Sequence, residues 1–122
     1  LSVHAYTPYA FALQSPREAG SKNSFSADNI FDIQEIAVFM DQLYNKFQPL
    51  EIPIVIGEFG ARDKDGNLQA RVNFTAAYVA LARARGMSCV WWTTTVSAAM
   101  ASCLACWTGA SSNSNTLKSS KL

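Results

Sequence analysis

A chain of 122 residues, 49% of them apolar, can bury one core and forms one domain at most. Ten Lys and Arg against nine Asp and Glu leave a net charge of +1, so no broad basic face points to nucleic acid. The three cysteines, Cys89, Cys103 and Cys106, are an odd set and imply no disulfide framework.

The chain opens on LSVHAYTPY, which carries no signal peptide and already looks like a strand. That start reads as a piece of something longer. A strand is expected over 2–6, with His4 and Tyr6 two apart on one face. The loop TPYAFALQSPREAGSKNSFSADN comes next, rich in Pro, Gly, Ser and Asn, and long enough to be functional. Asp28 or Asn29 can cap a helix over 30–47, where Ile33, Ile36, Met40, Leu43 and Phe47 keep helical spacing and Pro49 helps end it. IPIVIGEFGA predicts a buried parallel strand over 53–58 that delivers Glu58 at its tip. DKDGN at 63–67 reads as a turn, because the bidentate glutamate that would end a calcium loop is missing. A second helix is expected over 69–85, with Phe74, Tyr78 and Leu81 on one stripe and Gly86 as its stop. MSCVWW gives a third strand over 87–92. Strand, helix, strand, helix, strand is the signature of a parallel α/β sheet.

Ligands of parallel α/β folds sit at the C-terminal ends of the strands. Those ends offer His4 and Tyr6, then Glu58, then Trp91 and Trp92. A carboxylate beside an aromatic platform suits a sugar. The C–H face of a pyranose stacks on an indole, and a carboxylate can attack the anomeric carbon. Taken singly, each residue has a bland alternative: a structural Glu, a core or loop His, a Trp pair used for packing. Their joint placement on successive strand ends decides for a site.

The run from IPIVIGEFGA through a helix with Arg71 and Tyr78 to GMSCVWW, with VHAYTPYAFAL upstream, resembles the C-terminal part of glycoside hydrolase family 5, the cellulase family. The resemblance covers residues 1–92. It implies the last three strands, with their helices, of a (β/α)8 TIM barrel that hydrolyses β-glycosidic bonds with retention. By position it makes Glu58 the nucleophile, Tyr6 the donor that orients it and His4 a wall of the site. Trp92 becomes the platform under the reacting sugar, with Trp91 turned the other way unless the register differs. It also implies a β-glucan polysaccharide or oligosaccharide substrate, no cofactor and a secreted parent enzyme.

The family's acid/base ends an earlier strand in an Asn-Glu motif, and no Asn-Glu dipeptide occurs in this chain. A whole barrel takes about 250 residues. The chain by itself is therefore expected to be an inactive fragment of a cellulase-type enzyme. One alternative is a glucan-binding remnant that uses Trp91 and Trp92 without cleavage. Another is a different α/β half-barrel in which Glu58 serves other chemistry.

Residues 93–122 differ in kind, with seven Ser and two charged side chains, Lys118 and Lys121. The family continues Trp-Trp with Asp-Asn, whereas Trp92 is succeeded here by Thr93. Loss of one G from TGG TGG GAC yields that threonine. Restoring it permits Asp-Asn after Trp92 and Gly-Leu-Leu-Asp-Arg near Trp107. The tail is thus expected to be out of frame and poorly packed, and the Cys103–Cys106 spacing to carry no redox or metal meaning. The uncharged stretch 86–117 exceeds a membrane helix in length, but its Ser, Thr and Asn content argues against a span.

Overall fold

The computed structural model describes residues 1–92. The expectations for the tail, including Cys103 and Cys106, lie outside these residues. Three parallel strands, β1 (Ser2–His4), β2 (Val55–Phe59) and β3 (Ser88–Trp91), pair in the order β1-β2-β3. Two long helices connect them, α2 (Ile30–Phe47) and α3 (Leu68–Ala84), each within a residue of its expected span. A short helix α1 (Tyr9–Ala12) and a 3₁₀ turn at Gln48–Leu50 stand where the sequence predicted only loop.

The helix starts reflect local chemistry. The Asn29 side chain accepts the N–H of Phe31 at 3.0 Å and so caps α2. Asp32 in the first turn accepts the Ser26 N–H at 3.0 Å and pairs with Lys22 at 3.7 Å. Gly86, at φ +68°, ends the α3 segment in the left-handed region that glycine tolerates. Arg85 joins the two helices through Asp41, Nε to Oδ1 at 2.6 Å.

Both helices lie against one face of the sheet. The buried core joins Ile36 and Met40 of α2 to Ile56 and Phe59 of β2 and to Phe74, Tyr78 and Ala82 of α3. Phe59 and Tyr78 stack with centroids 4.3 Å apart. The other face carries Ser2, His4, Val55, Gly57, Ser88 and Val90, most of them exposed. Helices on one side and strand side chains on the other is the arrangement of a (β/α)8 barrel segment, whose bare face is the one a barrel turns inward. Among the described residues no helix is long and apolar enough to cross a membrane.

β2 does not keep strict alternation. Val3 pairs with Ile56 but His4 with Glu58, and on the other side Ile56 pairs with Cys89 but Phe59 with Trp91. β2 therefore carries one residue more than either neighbour. The extra residue lets Ile56 and Phe59, three apart, both reach the helix-side core at 0% and 1% exposure. It also turns Glu58 toward the face that holds His4. A bulge beside a site commonly re-aims a side chain in this way.

Candidate active site

Glu58 lies near the end of β2 with its side chain one-quarter exposed. Tyr6 donates its hydroxyl to Glu58 Oε2 at 3.0 Å, and His4 Nδ1 stands 3.4 Å from the same oxygen. Among the described residues both contacts fall on Oε2, which leaves Oε1 free of protein partners. Burial first, then the hydrogen bond to Glu58 and the carboxylate charge, push the Tyr6 phenol pKa up. Tyr6 thus stays a proton donor at neutral pH, which a carboxylate needs if it is to remain oriented.

Two glycines let the strands meet here. A Cβ on Gly57 would lie 2.7 Å from Ser2 Oγ and 3.5 Å from the His4 ring, so the bare backbone makes room for the histidine beside Glu58. A Cβ on Gly60 would lie 2.6 Å from the carbonyl oxygen of Trp92. The Trp92 N–H donates to Phe59 O at 2.8 Å, so this close approach holds Trp92 beside the end of β2.

The structure brings His4, Tyr6 and Glu58 together. Trp92 stands just after β3, next to Gly60, with 54% of its surface exposed. Trp91, offered with Trp92 as a sugar-binding residue, is turned the other way, as its position next to Trp92 in a strand leads one to expect. Its ring packs edge-on to Phe59, centroids 5.3 Å apart at 88°, against the helix-side core. Neighbouring strand residues point to opposite faces, so the Trp pair divides between core and rim. Trp91 Nε1 is buried without a hydrogen-bond partner among the described residues.

Sequence reasoning missed the roles of Gly57, Gly60 and Lys64. The glycines flanking the Glu-Phe pair were a usable signal for close backbone approach. Lys64 sits in the DKDGN stretch whose composition signals an exposed turn, yet it is buried to 1% exposure. The described residues contain no cluster of three or more His, Cys, Asp or Glu able to hold a metal ion.

Comparison with known proteins adds an independent line. A family model described as Cellulase (glycosyl hydrolase family 5) matches residues 1–97. Endoglucanase A of Clostridium longisporum is 38% identical over 91 residues, which span 75% of this chain and 17% of that protein. A GH5 family lichenase from Caldicellulosiruptor sp. F32 superposes with a TM-score of 0.72 at 59% identity, over 75% of this chain and 24% of its own. A mutant of that lichenase is known in complex with cellotetraose. A GH5-4 broad specificity endoglucanase from Clostridium cellulovorans gives a TM-score of 0.65 at 39% identity, over 79% of this chain and 28% of its own. The chain thus spans well under a third of each of these relatives.

Proposed function

The chain belongs to glycosyl hydrolase family 5, the cellulase family, matched over residues 1–97, and we propose that the whole protein is a retaining endo-β-1,4-glucanase whose nucleophile side this chain carries. Glu58 attacks the anomeric carbon through Oε1. The leaving oxygen departs with a proton from a second carboxyl group. Water then releases the sugar from the glycosyl-enzyme, with that second group acting as base. Tyr6 holds Glu58 aimed through its hydroxyl, His4 walls the site, and Trp92 stacks under the reacting sugar.

The observation that carries this reading is the convergence of Tyr6 and His4 on one carboxylate oxygen. A retaining pair needs its carboxyls about 5 Å apart. Asp63 is a poor second member, because Arg71 holds its Oδ2 at 2.8 Å and the Gly66 N–H its Oδ1 at 2.9 Å. We place the acid/base outside the described residues. The substrate class is β-glucan, as the names of the relatives favour. A polymer of that kind cannot enter a cell, which is the physical reason to assign the parent enzyme to the extracellular space.

The test is trapping with a fluorinated glycoside in the full-length protein, then peptide mapping. Label is expected on Glu58 and is lost in Glu58→Gln, because an amide is a poor nucleophile. Label on any other residue defeats the assignment.

A further inference from the structure

The loop between Tyr6 and α2 has no part in the chemistry above, yet it is firmly held. β1 ends at His4, and its last backbone bond to β2 is Ala5 N–H to Glu58 O at 2.9 Å. Tyr6 therefore lies just past the sheet ladder. On its N-terminal side Ala5 is held, its carbonyl also accepting the Tyr78 hydroxyl at 3.4 Å, and the loop on its C-terminal side is its second anchor. That loop is stitched to the segment that leaves Glu58. Arg62 N–H donates to Ala12 O at 2.9 Å and Arg62 Nη1 to Leu13 O at 3.0 Å. Further along, Asn67 Nδ2 donates to Asn23 O at 3.0 Å.

Lys64 stands among these contacts. Its ammonium donates to Ala10 O at 2.5 Å, Lys22 O at 2.9 Å and Ser21 Oγ at 3.0 Å. Three N–H donors meet three uncharged oxygens, so the ammonium is saturated although no carboxylate among the described residues is bonded to it. Lysine is rarely buried without such compensation, and burial pushes its pKa down here. The root of Lys64 is fixed as well, because its own N–H donates to Asn67 Oδ1 at 3.0 Å. Its first acceptor, Ala10, lies in α1, which starts three residues after Tyr6.

We propose that Lys64 is a positioning residue for the Tyr6–Glu58 pair: its ammonium locks the loop that leaves Tyr6 onto the loop that leaves Glu58, and so keeps the phenol on the carboxylate. The inference rests on the reading of Glu58 as nucleophile and Tyr6 as its donor. A lysine that served stability alone would lower the melting temperature and act independently of Tyr6. A lysine that acts through Tyr6 loses its effect once the phenol is gone.

The experiment is a double-mutant cycle on kcat and KM in the full-length protein, with Lys64→Met, Tyr6→Phe and the pair. Lys64→Met is expected to lower kcat about tenfold, a loss of hydrogen-bond size, with KM little changed. In the Tyr6→Phe background it should lower kcat no further. Full additivity of the two losses overturns the proposal, as does an unchanged kcat beside a lowered melting temperature. If Lys64→Met does not fold, Ser21→Ala removes one acceptor and is read in the same cycle. It should give a smaller loss that again vanishes without the phenol, and additivity there is equally fatal. A Tyr6→Phe enzyme of full activity, or label away from Glu58, sinks the functional reading and this inference together. A normal Tyr6→Phe loss with an inert Lys64 sinks the clamp alone.

Discussion

Gly60 shows how much one missing side chain can decide. The oxygen that a Cβ would meet at 2.6 Å belongs to the Trp92 backbone, and moving it breaks the 2.8 Å bond from Trp92 N–H to Phe59 O. Gly60→Ala is therefore expected to destabilise the fold by about 1–3 kcal/mol, as overpacking does. It should also weaken cello-oligosaccharide binding, read as reduced quenching of indole emission in the full-length protein. Unchanged melting and unchanged quenching would show that Trp92 does not depend on this contact. Tyr6 gives a pH prediction. Its folded pKa is raised, so its hydrogen bond contributes stability below the unfolded value of about 10 and loses it as pH rises through the folded value. Denaturation of wild type and Tyr6→Phe should differ at neutral pH, and the gap should close in strong alkali. The nearness of His4, Tyr6 and Glu58 was legible because strand-end position needs only local sequence, although β1 stops at His4 and Tyr6 lies beyond the ladder that a strand over 2–6 would have made. Lys64 was not legible, because its acceptors lie 42 to 54 residues away and only the folded chain brings them near.

The elements were legible where one periodicity ran unbroken. Ile36 and Met40 of α2, and Phe74 and Tyr78 of α3, are buried on the expected stripes, whereas the next turn of α3 buries Ala82 and leaves the expected Leu81 half-buried. The bulge in β2 was not legible, because it appears only as a mismatch of register with both neighbours. A strictly alternating β2 would put Gly57 and Glu58 on opposite faces. α1 escaped notice because one helical turn carries too few residues to show a period. The α2–α3 contact supports a prediction at this scale. The Arg85 hydrogen bond, more than its charge alone, holds the Asp41 carboxyl below its usual range. A depressed folded pKa means the contribution is present above the unfolded value of about 3.9 and is lost as pH falls through the folded one. Asp41 is half-exposed, so the effect is modest. Acid unfolding of Asp41→Asn should start from a lower stability at pH 7 and converge on wild type in acid. Parallel curves across the whole range would show that the ion pair does no work. Asn29→Ala should cost about 1 kcal/mol by removing the α2 cap, measured by urea denaturation.

At the scale of the molecule, the three strands of the described residues form an open sheet. β1 and β3 are its outer members, and Val55 and Val90 on the bare face are 36% and 53% exposed. Unpaired edges beside exposed apolar residues template association. A closed barrel would pair those edges and fill that face with side chains from the remaining strands. Retaining hydrolysis needs a second carboxyl opposite Glu58, and without a general acid the leaving group departs unprotonated and most of the rate is lost. Three chains separate these requirements: the 122-residue chain, the same chain encoded with one G inserted after the Trp92 codon, and the full-length protein with that G inserted. Light scattering and a reducing-sugar assay on soluble β-glucan are read on each. The first chain should associate and release no reducing ends. The second should associate less, if the shifted frame supplies a segment that covers the open sheet, and should still be inactive. The third should turn over substrate and lose that turnover in Glu58→Gln. Robust turnover by the 122-residue chain would reveal a second catalytic carboxyl within it. Equal association by the first two chains would show that the sequence after Trp92 does not govern how the open sheet is covered.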